Sequence, residues 1–550
     1  MSDYKKLAEL LFPDCSKTPE EYEAFYPPRA LGEGARVTRF APSPTGFLHI
    51  GGLFASLAAE RAAHLSGGVF FLRIEDTDKK REVEDGVTGI IKGLESFHIS
   101  FDEGMTGPVA DRGAYAPYLQ SRRAAIYASC AKRLVELGLA YPCFCGEAEL
   151  QAIRAEQEAK KELPGYYGAY AKCRDLPFEA VEARVKAGES YVIRLRSPGR
   201  ADRRVSFKDG VKGKIEMPEN TMDIVLLKSD GIPTYHFAHA VDDHFMRTTD
   251  VIRGDEWVSS VPVHLQLFEV LGYKPPRYAH ISPIMKEDGG AKRKISKRKD
   301  PEAAVSYFVD EGYPAESVLE YLLTLLNSNY EDWRRANPAL PYTDFPFSLS
   351  KMSSSGALFD MAKLMDLSRN VIARMTAQEV YDGVTAWAQI YDAELFTLLS
   401  RDRAYAEGIF AIDRGGAKPR RDIAKWSDVR QWLSFFYDEL WNGEYDELGN
   451  MTREDARKII EAYCAVYDVS DDKDTWFNKI KALCEPLGFA REVKTYKKNP
   501  DAYKGHVGDV SGVLRLALTG RRQTPDLCSI MALFGRERCQ ARFARFLAAL

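Results

Sequence analysis

Two segments carry residue types and spacings that could do chemistry. The first is FAPSPTGFLHIGG (40–52). Pro42 and Pro44 stiffen a loop, Thr45-Gly46 turns it, and His49 precedes a helix-like run. A helix N-terminus offers backbone N–H groups and a favourable dipole to phosphate, so a nucleotide triphosphate fits there. His49 would donate to phosphate oxygens in the transition state, and Gly51 and Gly52 would let a flat ligand lie against the backbone. The alternative is a helix-entry loop with a capping histidine. The second segment is KRKISKRK (292–299), six basic side chains in eight residues, after Gly289-Gly290 and before Asp300-Pro301. A flexible loop bearing ammonium groups could close over a developing pyrophosphate; an exposed RNA-contacting patch is the bland reading. A third set, Cys143-Phe144-Cys145 and, after 27 intervening residues, Cys173-Arg174-Asp175, offers three thiolates suited to tetrahedral zinc. Asp175 or one of Tyr166, Tyr167 and Tyr170 could complete that site. Reduced, metal-free thiols are the alternative.

The elements that must position these groups follow from periodicity. VTRFA (37–41) predicts a strand, LFASLAAERAAHL (53–65) a helix stopped by Gly67-Gly68, and VFFLRI (69–74) a buried strand. That is the β-loop-α-β start of a doubly wound α/β domain. From about 119 to 235 charged helical stretches mix with YVIRLR (191–196) and DIVLLK (223–228), which reads as an insertion. TYHFAHAVDDHF (234–245) and DVIRGDEW (250–257) resume the α/β domain. Beyond the basic loop the chain reads as helical to its end. The expected divisions are a short helical N-terminal extension plus linker (1–36), a Rossmann-like domain (37–118 and 236–292), an insertion (119–235), a connecting region (293–376) and an all-α half (377–550).

Length and composition bound the class. At ~150 residues per domain the length predicts three or four domains. Seventy-six basic against 80 acidic residues give a net charge of −4, which argues against a wholly basic nucleic-acid coat. No run approaches a membrane span, the N-terminus MSDYKKLAEL has no apolar signal core, and nine scattered cysteines do not form a disulfide framework. A cytoplasmic, multidomain protein is expected.

Taken together, PSPTG…HIGG and the distant KISKR resemble the paired HIGH and KMSKS motifs of class I aminoacyl-tRNA synthetases. Thr38-Arg39, RIEDTD (73–78), LLKSDG (226–231), VIRGDEW (251–257) and PIM (283–285) narrow the resemblance to the glutamyl/glutaminyl branch; LRLALTG (514–520) and TPDLCSIMALFGRER (524–538) resemble its bacterial glutamyl members. The resemblance implies a glutamate ligase in which the α-carboxylate attacks ATP, pyrophosphate leaves, and the tRNA terminal ribose then takes the aminoacyl group. It assigns catalysis to His49, Lys294 and Lys297. ATP would lie against Pro42, Ser43, Gly46, His49, Gly51, Gly52 and Lys297, with Mg2+ on its phosphates. Arg39 and Arg253 match arginines that hold the substrate carboxylates, and which takes which is open. Glu75 matches the group that binds the ammonium, with an ion pair to Arg73 or Arg81 as the alternative. Ala41, Ser43 and Tyr235 would line the same pocket, and Tyr235 could equally be a core aromatic. Some relatives bind zinc through a CxC…CxH pattern whose histidine is Asp175 here. The implied partners are tRNA(Glu) and L-glutamate, met by a monomer whose inserted segment takes the acceptor stem and whose helical half takes the anticodon. Arg420, in KPRR (418–421), falls where some relatives place an arginine against the anticodon. A glutaminyl enzyme would have β-barrels in place of helices at the C-terminus. A relative that modifies a tRNA base would lack that half, and a non-catalytic RNA-binding paralogue would have no reason to keep His49, Lys294 and Lys297.

Overall fold

The computed structural model describes residues 3–78, 83–296 and 298–550. It divides into two units, Met1–Phe308 with Leu319–Asp360, and Val309–Val318 with Met361–Leu550.

The first unit is built on parallel strands. Val37–Phe40 pairs with Val69–Leu72 in register Val37↔Val69, and Val69–Leu72 pairs with Glu103–Met105. A second parallel pair, Asp250–Gly254 with Arg277–Ile281, is set beside the first strand by the Thr249 N–H, which donates to the Val37 carbonyl at 2.9 Å. The order therefore reverses between Val37–Phe40 and Asp250–Gly254. In open α/β sheets the ligand crevice lies at the carboxyl ends of the strands flanking such a reversal. The first crossover is the helix Ile50–His64, whose small residues Ala58, Ala59, Ala62 and Ala63 are buried against the sheet. It ends at Gly67 (φ +66°) and Gly68, where any Cβ would lie 1.9 Å from the Arg36 carbonyl oxygen.

The inserted segment carries a three-stranded antiparallel sheet, Ala140–Cys143, Val192–Leu195 and Val225–Leu227, and a two-stranded ribbon, Arg204–Asp209 with Gly213–Pro218. The ribbon docks back on the parallel sheet: Gly210 N–H donates to the Tyr278 carbonyl at 2.8 Å, and Phe207 packs on Val251, Val261 and Tyr278.

Residues 1–36 are partly helical, as a short helical extension with a linker implies. They form the helices Asp3–Leu11 and Pro19–Phe25, the latter with a Thr18/Glu21 capping box, and they are pinned to the α/β core. Glu23 pairs with His244 and Arg247 at 2.7 Å each, and Arg29 with Glu103 at 2.7 Å. The basic loop expected at 292–299 is corrected, since the run is not wholly a loop. Ala291–Lys294 is a strand paired with Ile284–Asp288, in register Met285↔Lys294, because its alternate charged side chains can all face water on an edge hairpin.

The second unit is helical, from Met361–Arg374 to Leu527–Ala549, around a core including Val380, Leu395, Ile409, Phe436, Ile460, Leu514 and Phe543. Gly535, at φ +72°, breaks the last helix internally.

Candidate active site

The carboxyl ends of the first unit's strands open into a cleft of about 1270 Å³. Arg39, Ala41, Ser43, His49, Gly51, Gly52, Glu75, Tyr235, Arg253 and Lys294, separated widely in sequence, all line it. Pro42 and Gly46 do not line it. Pro42 instead accepts the Glu75 N–H at 3.0 Å, and Gly46 makes the turn at φ +149°. Lys297 lies outside the described residues, as does Arg81.

His49 is the N-cap of Ile50–His64, and its Nδ1 accepts the Gly51 N–H at 3.0 Å. With Nδ1 accepting, the neutral ring carries its proton on Nε2, which is then a donor. Gly51 leaves room for that cap, since a Cβ there would sit 3.3 Å from His49 Nδ1. Gly52 answers to packing: its Cβ would meet Leu48 Cδ1 at 2.9 Å and Phe40 Cζ at 3.3 Å. The Val305 N–H donates to the Leu48 carbonyl at 3.1 Å, and His49 bridges Ala304. The stretch after the basic run is thus pinned to the segment that carries His49. Asp300 ties the run's exit: Arg293 reaches it at 2.6 and 2.8 Å, and the Ser296 N–H at 2.8 Å. One of the run's six cations is thereby neutralised, while Lys294 stays over half exposed, 3.8 Å from Glu256.

Beneath the cleft lies a buried ion network that sequence reasoning missed. Asp243 receives Arg73 at 2.8 Å and Arg39 at 3.3 Å, and His239 Nδ1 lies 2.7 Å away. Burial alone would raise its pKa, yet the two guanidiniums hold it well below the carboxylate range. Arg73 also pairs with Glu75 at 3.0 Å, so the expected Glu75–Arg73 contact is present. Burial nonetheless keeps the Glu75 carboxyl raised, against the opposing charges of Arg73 and Arg39. The signal available in the sequence was Asp242-Asp243 inside an apolar helix, since buried acids demand cations.

Arg253 has no carboxylate partner among the described residues. It donates to Tyr235 Oη at 3.1 Å and to His280 Nε2 at 3.1 Å, and lies 3.2 Å from His264 Nδ1. Burial and the Arg253 charge lower His264, and burial also lowers His280. The guanidinium is therefore held by neutral acceptors and keeps its charge for the cleft. Tyr235 packs on Trp257 with centroids 4.3 Å apart. Two guanidiniums and one carboxylate in one cleft complement a molecule with two carboxylates and an ammonium group.

The three thiols of Cys143, Cys145 and Cys173 lie within 4.8 Å of one another, with Cys145 and Cys173 sulfurs 3.6 Å apart. Tetrahedral zinc with ~2.3 Å bonds to sulfur places thiolates roughly 3.8 Å apart, so the set fits. The Tyr166 hydroxyl is 3.3 Å from Cys145 Sγ. Asp175 is turned away to Arg196 (2.6 Å), Tyr167 to the Leu163 carbonyl and Tyr170 to Glu162. In the helical unit Arg420 pairs with Asp422 at 2.8 Å. No helix among the described residues is long and apolar enough to cross a membrane.

Comparison with known proteins shows the family. Residues 36–339 match the model of the catalytic domain of class I tRNA synthetases (E and Q), and residues 417–547 that of an anticodon binding domain. The chain is 54% identical to a glutamate–tRNA ligase of Clostridium perfringens, over 99% of this chain and 100% of that one, and 48% identical to one of Acetivibrio thermocellus over 99% and 100%. Among solved structures, a glutamate tRNA ligase of Elizabethkingia meningosepticum in complex with its amino acid aligns with a TM-score of 0.76 at 28% identity, covering 94% of this chain and 99% of that one. The chain belongs to the glutamate–tRNA ligases, in the E and Q group of class I tRNA synthetases.

Proposed function

We propose that the chain activates L-glutamate with ATP and transfers it to the 3′ end of tRNA(Glu), and that the cleft residues divide the work as follows. Arg39 and Arg253 take the two carboxylates of glutamate, and Glu75 takes its ammonium, with Ala41, Ser43 and Tyr235 closing the walls. ATP, with Mg2+ on its phosphates, lies along Ser43, His49, Gly51 and Gly52, its triphosphate near the start of Ile50–His64. The reaction needs no side-chain nucleophile: the glutamate carboxylate attacks the α-phosphorus, and a ribose hydroxyl later attacks the mixed anhydride. His49 Nε2–H, Lys294 and Lys297 stabilise charge as pyrophosphate departs. The observation that carries this reading is Arg253, a buried guanidinium wedged among neutral acceptors and facing the same cleft as Arg39 and Glu75.

The inserted segment (119–235) is assigned to the acceptor stem, the region 293–376 to a connecting role, and 377–550 to the anticodon, with Arg420 at the anticodon loop. Zinc, held by Cys143, Cys145 and Cys173 with the Tyr166 hydroxyl as the fourth donor, would supply a structural cross-link within the insertion. ATP–pyrophosphate exchange tests the reading. Exchange driven by glutamate in the presence of tRNA supports it, and exchange driven by glutamine instead would overturn it.

A further inference from the structure

The hydrogen bonds behind Arg253 continue outward to a residue of the inserted segment. Because Arg253 Nε–H donates to His280 Nε2, that nitrogen must be bare, and the ring proton sits on Nδ1. Nδ1 lies 2.6 Å from Asp209 Oδ2. Asp209 ends the strand Arg204–Asp209 of the docked ribbon, and its other oxygen, Oδ1, accepts the N–H groups of Val211 and Lys212 at 2.9 Å each. Lys212 in turn reaches Asp255 at 3.1 Å, beside the strand that carries Arg253.

We propose that Asp209 is a positioning residue for glutamate recognition: it fixes His280 as an acceptor and, through it, the plane of the Arg253 guanidinium. This rests on the reading that Arg253 holds a substrate carboxylate. The arrangement has a physical logic. Arg39 is held directly by the Asp243 carboxylate, which offsets part of its charge, whereas Arg253 is not. A neutral imidazole orients the Arg253 guanidinium without cancelling its charge, and Asp209 stands one ring further back. His280 is fully buried, so its proton has few other places to go.

Asparagine at position 209 inverts the chain while sparing the turn. Its amide oxygen stays on the Val211 and Lys212 N–H groups and on the His280 backbone N–H, 3.2 Å from Oδ1, which places the amide nitrogen against His280 Nδ1. That donor drives the ring proton to Nε2, where it confronts Arg253 Nε–H across 3.1 Å. The same logic makes a buried acid select the tautomer of a catalytic histidine.

The test uses the full-length protein with tRNA and compares steady-state aminoacylation with histidine tautomers read by 15N NMR. Asp209→Asn is expected to raise KM for glutamate by about tenfold or more, with KM for ATP changed by less than about twofold. The thermal midpoint should hold, and the His280 proton should move to Nε2. His280→Gln, which can donate to Asp209 and accept from Arg253, should raise KM for glutamate less than His280→Leu does. If Asp209→Asn leaves KM for glutamate unchanged while Arg253→Gln raises it, the positioning role falls and the Arg253 reading stands. If Arg253→Gln has no effect, both fall. A lowered midpoint with both KM values altered alike would mark Asp209 as merely structural and overturn the proposal.

Discussion

Replacing Asp243 by asparagine isolates what the buried network contributes. The side chain is fully buried and receives Arg73 at 2.8 Å, Arg39 at 3.3 Å and the Thr248 hydroxyl at 3.1 Å. The substitution keeps the volume and removes the charge. Arg73 would retain Glu75 at 3.0 Å and Asp242 at 3.9 Å, whereas Arg39 would keep only the more distant Glu75 charge, with no ion pair within 4 Å among the described residues. Removing one partner of a buried pair costs about 3–5 kcal/mol, and the redundancy at Arg73 places the expected loss near the lower end of that range. The sign with pH follows from the depressed pKa. The stabilisation is present above the unfolded carboxylate value of about 3.9 and is lost as pH falls through the folded value. The difference between the proteins should thus be full at pH 7 and shrink only in strong acid. Urea unfolding of both proteins at neutral and acidic pH measures it, and KM for glutamate should rise in parallel because Arg39 is no longer held. A loss under about 1 kcal/mol at pH 7, outside extrapolation error, would refute the reasoning.

Glu75→Gln should raise KM for glutamate by about ten- to a hundredfold, since the ammonium loses its charged partner. Because burial raises the Glu75 carboxyl, wild-type affinity for glutamate should weaken as pH falls through that raised value, and this acid limb should vanish in the variant; KM measured against pH decides it. Lys297→Ala should abolish aminoacylation while filter binding still detects tRNA, and full activity would contradict the phosphate role. Elemental analysis should find zinc bound to the purified chain, and Cys145→Ser should lower both its content and the thermal midpoint; a metal-free, fully stable wild type would contradict the site.

What could be read beforehand was what is local. The turn chemistry of 42–46, the small-residue helix after His49 and the buried strands on either side depend on neighbours in sequence, and Ile50–His64 and Val69–Leu72 lie where periodicity placed them. Gly52 was legible as special, but its reason, the approach of Leu48 and Phe40, was not. The Asp243 and Asp209 networks were illegible because their partners come from remote elements, and an acid's burial shows only in three dimensions. The hairpin at 284–294 was hidden because high charge mimics a loop when a strand lies at an edge. The same compensation explains a net charge of −4 in a protein that holds a polyanion. Cations such as Arg293 and Arg420 are locally paired with Asp300 and Asp422.

The proposed reaction joins glutamate to tRNA at the expense of ATP. Aminoacylation of purified tRNA(Glu) and tRNA(Gln) with labelled glutamate, and with labelled glutamine in a parallel reaction, tests it most directly. Glutamate esterified to tRNA(Glu), with AMP and pyrophosphate released, is the expected result. Glutamine charged in preference, or no label on either tRNA, would contradict it.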